Sequence, residues 1–194
     1  DWTLNLFANQ VSHFIFLQEL DLTGDGQPDR VDTSGLPDQN GLLLLNYAQR
    51  NANFIGVEFE TTAHLLNNYR NKLDLRLWTD YVRGRLSGGR YLPRMTPLRF
   101  GGVLDYIRGP WHGRLDVMQV LKQTDTAPLE TDTAGYTMLN IQLDYRFDWA
   151  KLNCNLFMRG TNLLNEEARR HTSFLKDQAP MPGRSGLAGI RINF

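Results

Sequence analysis

The chain has 194 residues, with 21 Lys and Arg against 21 Asp and Glu, so it carries no net charge while its histidines are neutral. That length suffices for one domain with a real core, and the charge balance lacks the basic excess of a nucleic-acid binder. Hydrophobic residues at 41% and charged residues at 22% are ordinary for a globular protein. No window approaches the roughly 18 apolar residues of a membrane helix, so a membrane passage would have to use strands.

Period-two alternation is the recurring signal along the chain, one side of each strand apolar and the other wet. Residues 1–17 form the first expected strand, which opens in mid-pattern on Asp1-Trp2-Thr3-Leu4. Neither a basic leader nor an apolar signal core precedes it, so a fragment is expected. A long connection over 19–41 leads to strands at 54–65 and 71–83, joined by a short turn at 66–71. In the second of these, Leu73, Leu75, Leu77, Thr79 and Tyr81 oppose Lys72, Asp74, Arg76 and Asp80. A long connection over 87–97 is followed by strands at 98–107 and 114–122 around a short turn at 109–113. After a third long connection, 123–135, come strands at 137–147 and 152–164 around a turn at 148–151. Here Leu139, Ile141, Leu143, Tyr145 and Phe147 oppose Met138, Asn140, Gln142, Asp144 and Arg146. The last long connection, 166–184, enters a final strand at 185–194.

About eight strands result, with long and short connections in strict alternation. A meander whose short turns gather at one end and long loops at the other is the pattern of an antiparallel up-and-down transmembrane β-barrel. A soluble barrel, sandwich or lipocalin-like binder also alternates, but it turns its apolar side inward. That competitor predicts Leu75, Leu139 and Ile141 pointing into the core. Strand length favours the membrane form, because several strands match or exceed the roughly 9–11 residues a tilted crossing needs. Aromatic residues gather near strand ends as two interfacial girdles would. Tyr69, Trp111, Phe147, Trp149 and Phe194 lie by the short turns, and Phe14, Phe16, Tyr81 and Tyr136 towards the long loops.

Several segments resemble TonB-dependent outer-membrane receptors. The tail from Gly186 to Phe194 is similar to their terminal strand with its final aromatic, which the barrel-assembly machinery reads. Gly160-Thr161-Asn162-Leu163-Leu164-Asn165-Glu166 resembles a segment near the family's C-terminus, and Pro180-Met181-Pro182-Gly183-Arg184 resembles the entry to its last strand. Leu92-Pro93-Arg94-Met95-Thr96-Pro97 and Ile55-Gly56-Val57-Glu58 resemble earlier family stretches, in the family's order. The resemblance implies that residues 1–194 are the C-terminal part of a 22-stranded barrel, with a plug domain, a TonB-contacting segment and the first fourteen strands outside this sequence. It also implies a multi-pass protein of the bacterial outer membrane that binds a scarce metal or metal chelate, such as a ferric siderophore or zinc. Its partners would be lipid, plug, TonB and a small metal complex. An autonomous eight-stranded barrel with a structural or adhesive role is the alternative.

Two loops carry candidate binding chemistry. In the first, Asp21, Thr23, Asp25, Gln27, Asp29 and Asp32 fall at calcium-loop spacing, with Gly26 at the turn. Hard oxygens at that spacing suit a structural Ca2+, although Asp32 stands where a bidentate Glu is usual and Pro28 interrupts the wrap. A solvated Asp/Gly turn is the competing reading. In the last long loop, Arg169, Arg170, His171 and Lys176 suggest a basic surface for an anionic chelate, or simply a solvated loop. By parity His13 and His64 face the lumen, while His112 belongs to a short turn. Glu58, Glu60, Asp74, Arg76 and Asp80 are expected to form a hydrated wall. The single cysteine, Cys154, sits on the lipid-facing register as a small hydrophobe, and there is no His/Cys cluster at zinc spacing. Phe194 is the expected assembly signal. No nucleophile–base pair or phosphate-cradling loop suggests an enzyme.

Overall fold

The structure is a computed structural model that describes residues 1–193; Phe194 lies outside the described residues. The main element is an eight-stranded antiparallel sheet. Its strands in order are β1 (Trp2–Glu19), β4 (Leu45–Asn67), β5 (Asn71–Leu86), β6 (Arg99–Arg108), β7 (Trp111–Val120), β8 (Tyr136–Trp149), β9 (Leu152–Thr161) and β10 (Ser185–Asn193). A two-residue hairpin of β2 (Arg30–Val31) and β3 (Leu42–Leu43) lies within the first long connection. The sheet is open, since β1 and β10 are its two edges and do not pair with each other. That is the form of a barrel wall segment.

The short turns form where local chemistry permits them. Gly109 takes a positive φ of 54° ahead of Pro110, as the first central residue of a tight hairpin turn must. At the next short turn Ala150 and Lys151 both take positive φ, 48° and 69°, without the usual glycine. At the third, the Asn68 side chain accepts N–H bonds from Arg70 and Asn71, and the Asn68 N–H donates to the Asn71 carbonyl at 2.9 Å.

Register makes the two faces explicit. Leu75 pairs with Leu104, Leu104 with Leu115, and Leu115 with Ile141, so these apolar side chains share one face across four strands. Leu77, Leu104, Leu115, Val117, Ile141, Leu143, Leu156 and Met158 remain exposed there. The other face carries Asp74, Asp105, Arg114, Gln142 and Arg159 in register, and the long loops fold over its upper end. Leu75, Leu139 and Ile141 therefore point away from the loop-covered side, contrary to what a soluble barrel requires. Paired polar groups line the wet face: Arg99 with Asp80 at 2.8 Å and Arg114 with Asp105 at 3.5 Å as ion pairs, and His64 hydrogen-bonded to Asp74 at 2.7 Å. Cys154 is on the outward face, only 3% exposed between its cross-strand partners Phe147 and Ile192.

Three expectations are corrected. Strand β4 begins at Leu45, well before residue 54, and pairs with an extended β1. Its 23 residues, at about 3.3 Å each, far exceed the roughly 9–11 that a tilted crossing needs. Polar residues fall on both sides of 46–53, and the buried Ala52 is too small to mark a face, so no alternation is there to detect. Second, a bulge between Val11 and Phe14, with His13 at φ 56°, switches the parity of β1. Phe14 and Phe16 consequently turn to the loop-covered side and pack with Ala52, Phe54, Leu86, Leu92 and Met95. Tyr136 likewise packs there with Val120, Met138 and Ala168, so these three aromatics are core residues and not a girdle. Third, His13 occupies the bulge instead of a regular lumen position, and His112 lies inside β7, 3.0 Å from Asp105. By the short turns, Trp111, Tyr145 and Phe147 do stack on the outward face.

Glycines sit opposite rings on the inner face: Gly56 faces Phe7, Gly101 faces Trp78 and Gly189 faces Phe157. A Cβ on Gly101 would lie 2.7 Å from the Val117 carbonyl oxygen and 2.8 Å from the Trp78 ring. Gly101→Ala is expected to destabilise the barrel by about 1–3 kcal/mol through overpacking. Gly113→Ala, whose nearest neighbour would be at 4.0 Å, should be near neutral. Denaturant titration of the full-length protein measures both.

Candidate ligand-facing loop cluster

The long connections meet above the inner face around one buried carboxylate, Glu130, which is 7% exposed. Its Oε1 accepts from the Arg94 N–H at 2.8 Å and from Lys176 Nζ at 3.4 Å, and its Oε2 accepts from the Ala127 N–H at 3.0 Å. His171 Nε2 lies 3.2 Å from Oε1 but off the line of a good hydrogen bond. On the other side of the ring, Nδ1 faces Thr133 Oγ1 at 3.0 Å and Lys176 Nζ at 3.4 Å. With the ammonium on Nδ1 and the carboxylate on Nε2, the favoured tautomer carries its proton on Nε2. Burial would raise the Glu130 carboxyl, but the His171 contact, the Ala127 N–H, the Lys176 charge and the Arg94 N–H reverse this and hold it at about 2.

Arg94 extends the cluster to the first strand. Its guanidinium donates to the Leu17 carbonyl at 2.8 Å, sits 3.6 Å from Glu19 and lies 4.3 Å above the Phe174 ring. Glu19 is buried and its carboxyl is pushed up, first by desolvation and then by Glu130. Four connected parts of the chain are thus tied together by charges whose partners lie far apart in sequence. Buried charges persist only when paired in this way.

The cluster changes the reading of the last loop. His171 and Lys176 are 2% and 4% exposed, so they do not belong to an open basic surface. Arg169 is bound to Glu167 at 2.8 Å and to the Lys176 carbonyl at 2.6 Å, which leaves Arg170 as the exposed one of the four. Glu130, Arg94 and Glu19 were not legible as site residues, because a lone charge in a loop gives no periodicity. The two ends of the last loop are clamped by asparagines. Asn162, 1% exposed, donates to the Glu166 and Pro182 carbonyls, and Asn165 accepts from the Arg184 N–H.

The acidic first loop organises around its own carboxylates. Asp21 accepts from the N–H groups of Gly24, Asp25 and Gly26, and the Gly26 bond above all holds its carboxyl below the usual range. Thr23 bridges Asp21 and Asp29 at 3.3 and 3.2 Å, Asp25 accepts from the Gln27 N–H, and Asp32 turns away to cap Ser34 and Leu36. In this arrangement the oxygens of Asp21, Asp25, Asp29 and Asp32 accept from the loop's own donors. Among the described residues no group of three or more His, Cys, Asp or Glu side chains is spaced to hold a metal. The same loop forms one wall of an open cleft of about 750 Å³, with Thr131 and Asp177 on the opposite side. Asp25, Asp29, Asp38 and Asp177 line it against the single cation Arg30, which bonds Asp177 at 3.3 Å.

A family model described as TonB dependent receptor-like, beta-barrel, matches residues 1–163. Among solved structures, a chain named Copper transporter OprC has the same fold, with a TM-score of 0.70 at 19% sequence identity. The match covers 97% of this chain and 28% of that one, so the present chain spans less than a third of that structure's length.

Proposed function

This chain belongs to the TonB-dependent receptor β-barrel family, and from that premise we propose that it forms barrel wall and extracellular loops of an outer-membrane receptor for a scarce metal. The family match over residues 1–163, on a sheet with one apolar and one ion-paired wet face, is the observation that carries this reading. The outward leucines meet lipid, the wet face lines the passage, and the looped end faces the medium. Transport would need the plug and the TonB contact that the family implies. The open sheet gives no support to an autonomous closed eight-stranded barrel.

The loops support one reading of the substrate class. With His171 and Lys176 buried, the basic surface that favoured an anionic chelate is gone. The cleft's four carboxylates and one guanidinium, which are not spaced to ligate a metal directly, support a hydrated metal cation or a cationic complex over a ferric siderophore. A similar fold in a chain named as a copper transporter agrees with a metal cargo. Cells expressing the full receptor should take up a labelled metal cation in a saturable, TonB-dependent manner. Asp25→Asn combined with Asp38→Asn should weaken binding several-fold, more at low salt than at high. Uptake restricted to an anionic ferric chelate, and indifferent to these substitutions, would overturn the cationic assignment.

A further inference from the structure

The outward side chains of β5 run Leu73, Leu75, Leu77, Thr79 and Tyr81, and then Arg83 and Arg85. Leu73 to Tyr81 is the length a tilted strand needs to cross a bilayer, about 9–11 residues. The two arginines therefore emerge on the lipid side where headgroups begin. They are bound to one aromatic. The short hairpin after β5 brings Tyr91 across from Arg85, with the two guanidinium carbons 5.1 and 4.9 Å from the ring centroid. The phenol oxygen accepts from Nη2 of both, at 2.5 Å from Arg83 and 3.1 Å from Arg85. Asp125 supplies one carboxylate, 3.1 Å from Arg83, while Arg83 Nε is buried with no hydrogen-bond partner. Two like charges held this closely by one phenol and one carboxylate leave a net positive charge at the outer surface, where Arg85 is exposed.

We propose that Arg83, Arg85 and Tyr91 form a clamp for the phosphate of an outer-leaflet lipid headgroup. A guanidinium fork fits a phosphate bidentately, and an aromatic ring at the interface sets the depth at which the fork waits. Asp125 limits the affinity by repulsion while holding Arg83 in place. The inference rests on the outward face meeting lipid.

The test is native mass spectrometry of the full receptor titrated with phosphorylated lipid A and with the same lipid dephosphorylated. The phosphorylated form should bind preferentially. Arg83→Gln with Arg85→Gln should weaken it roughly tenfold, Arg85→Lys should fall between, and Asp125→Asn should tighten it. Equal binding of the two lipids, or unchanged binding by the double variant, overturns the clamp. Displacement by inorganic phosphate at equal concentration marks a free-phosphate site and overturns the lipid assignment. A fluorophore on Leu75→Cys, read with brominated-chain lipid, separates the two levels of the argument. A quenched label without headgroup preference defeats the clamp alone, and an unquenched label defeats the membrane reading beneath it.

Discussion

Replacing Glu130 with alanine should release the last two long connections together while the sheet below stays folded. Hydrogen exchange over 121–135 and 162–184 should rise, and trypsin should gain access at Lys176, which is 4% exposed in the intact structure. Removing one partner of a buried ion pair typically costs about 3–5 kcal/mol, because the other charge is left without compensation. Here the abandoned charge is Lys176, with His171 beside it, and the Arg94 N–H loses its acceptor as well. Glu130→Gln keeps an acceptor for Arg94 but no charge for Lys176, so it should be intermediate. If protection of both loops survives Glu130→Ala, the carboxylate is not their anchor.

The same carboxylate gives the loops a pH dependence with a definite sign. Its folded value, about 2, lies below the ordinary 4.5. A depressed carboxyl contributes stability that is complete above its unfolded value and is lost as pH falls through its folded value. About 3 kcal/mol should therefore disappear between roughly pH 4.5 and pH 2. Glu19 acts in the opposite direction. Its raised carboxyl favours the folded loops at low pH, and that contribution is lost as pH rises through its folded value. Glu19→Gln should accordingly abolish the gain in loop protection as pH falls towards 4.5 and leave the Glu130 loss below 4.5 in place, which exchange measured down the pH series would show.

Alternation made the wall legible because a strand between lipid and water has no other way to satisfy both. Leu73 to Tyr81 and Leu139 to Phe147 could be assigned to a face from parity alone, and the structure keeps those faces. Parity failed where its physical cause was absent. Over 46–53 polar residues fall on both faces and the buried Ala52 is too small to mark one, and at Val11–Phe14 a bulge inserts an extra residue that no polarity pattern announces. The loop cluster was hidden for a different reason. Lys176 and His171 read as surface cations because burial of a charge depends on its partner, and Glu130 stands 46 residues from Lys176. The Asn162 and Asn165 motif was visible as family resemblance, yet its work as a clamp on the last loop only follows from the bonds it makes.

The sharpest consequence of the two-faced sheet concerns a single pair of neighbours. Leu104 points outward between Leu75 and Leu115, while Asp105, one residue later, points inward with Arg114 and His112. A charge is already accommodated at 105 because water and counter-charges meet it there. At 104 the same kind of charge would meet acyl chains, and the neighbours leave 37% of the leucine uncovered. Leu104→Arg should therefore cost about 2–4 kcal/mol, the penalty of an arginine near the bilayer midplane. Thr3→Arg, on the inner face beside Glu60, should cost little, since water and an opposite charge are at hand. Urea titration of the full receptor folding into vesicles compares the two. Equal costs would mean that the leucine face is not in lipid, and the assignment of inside and outside would fall with it.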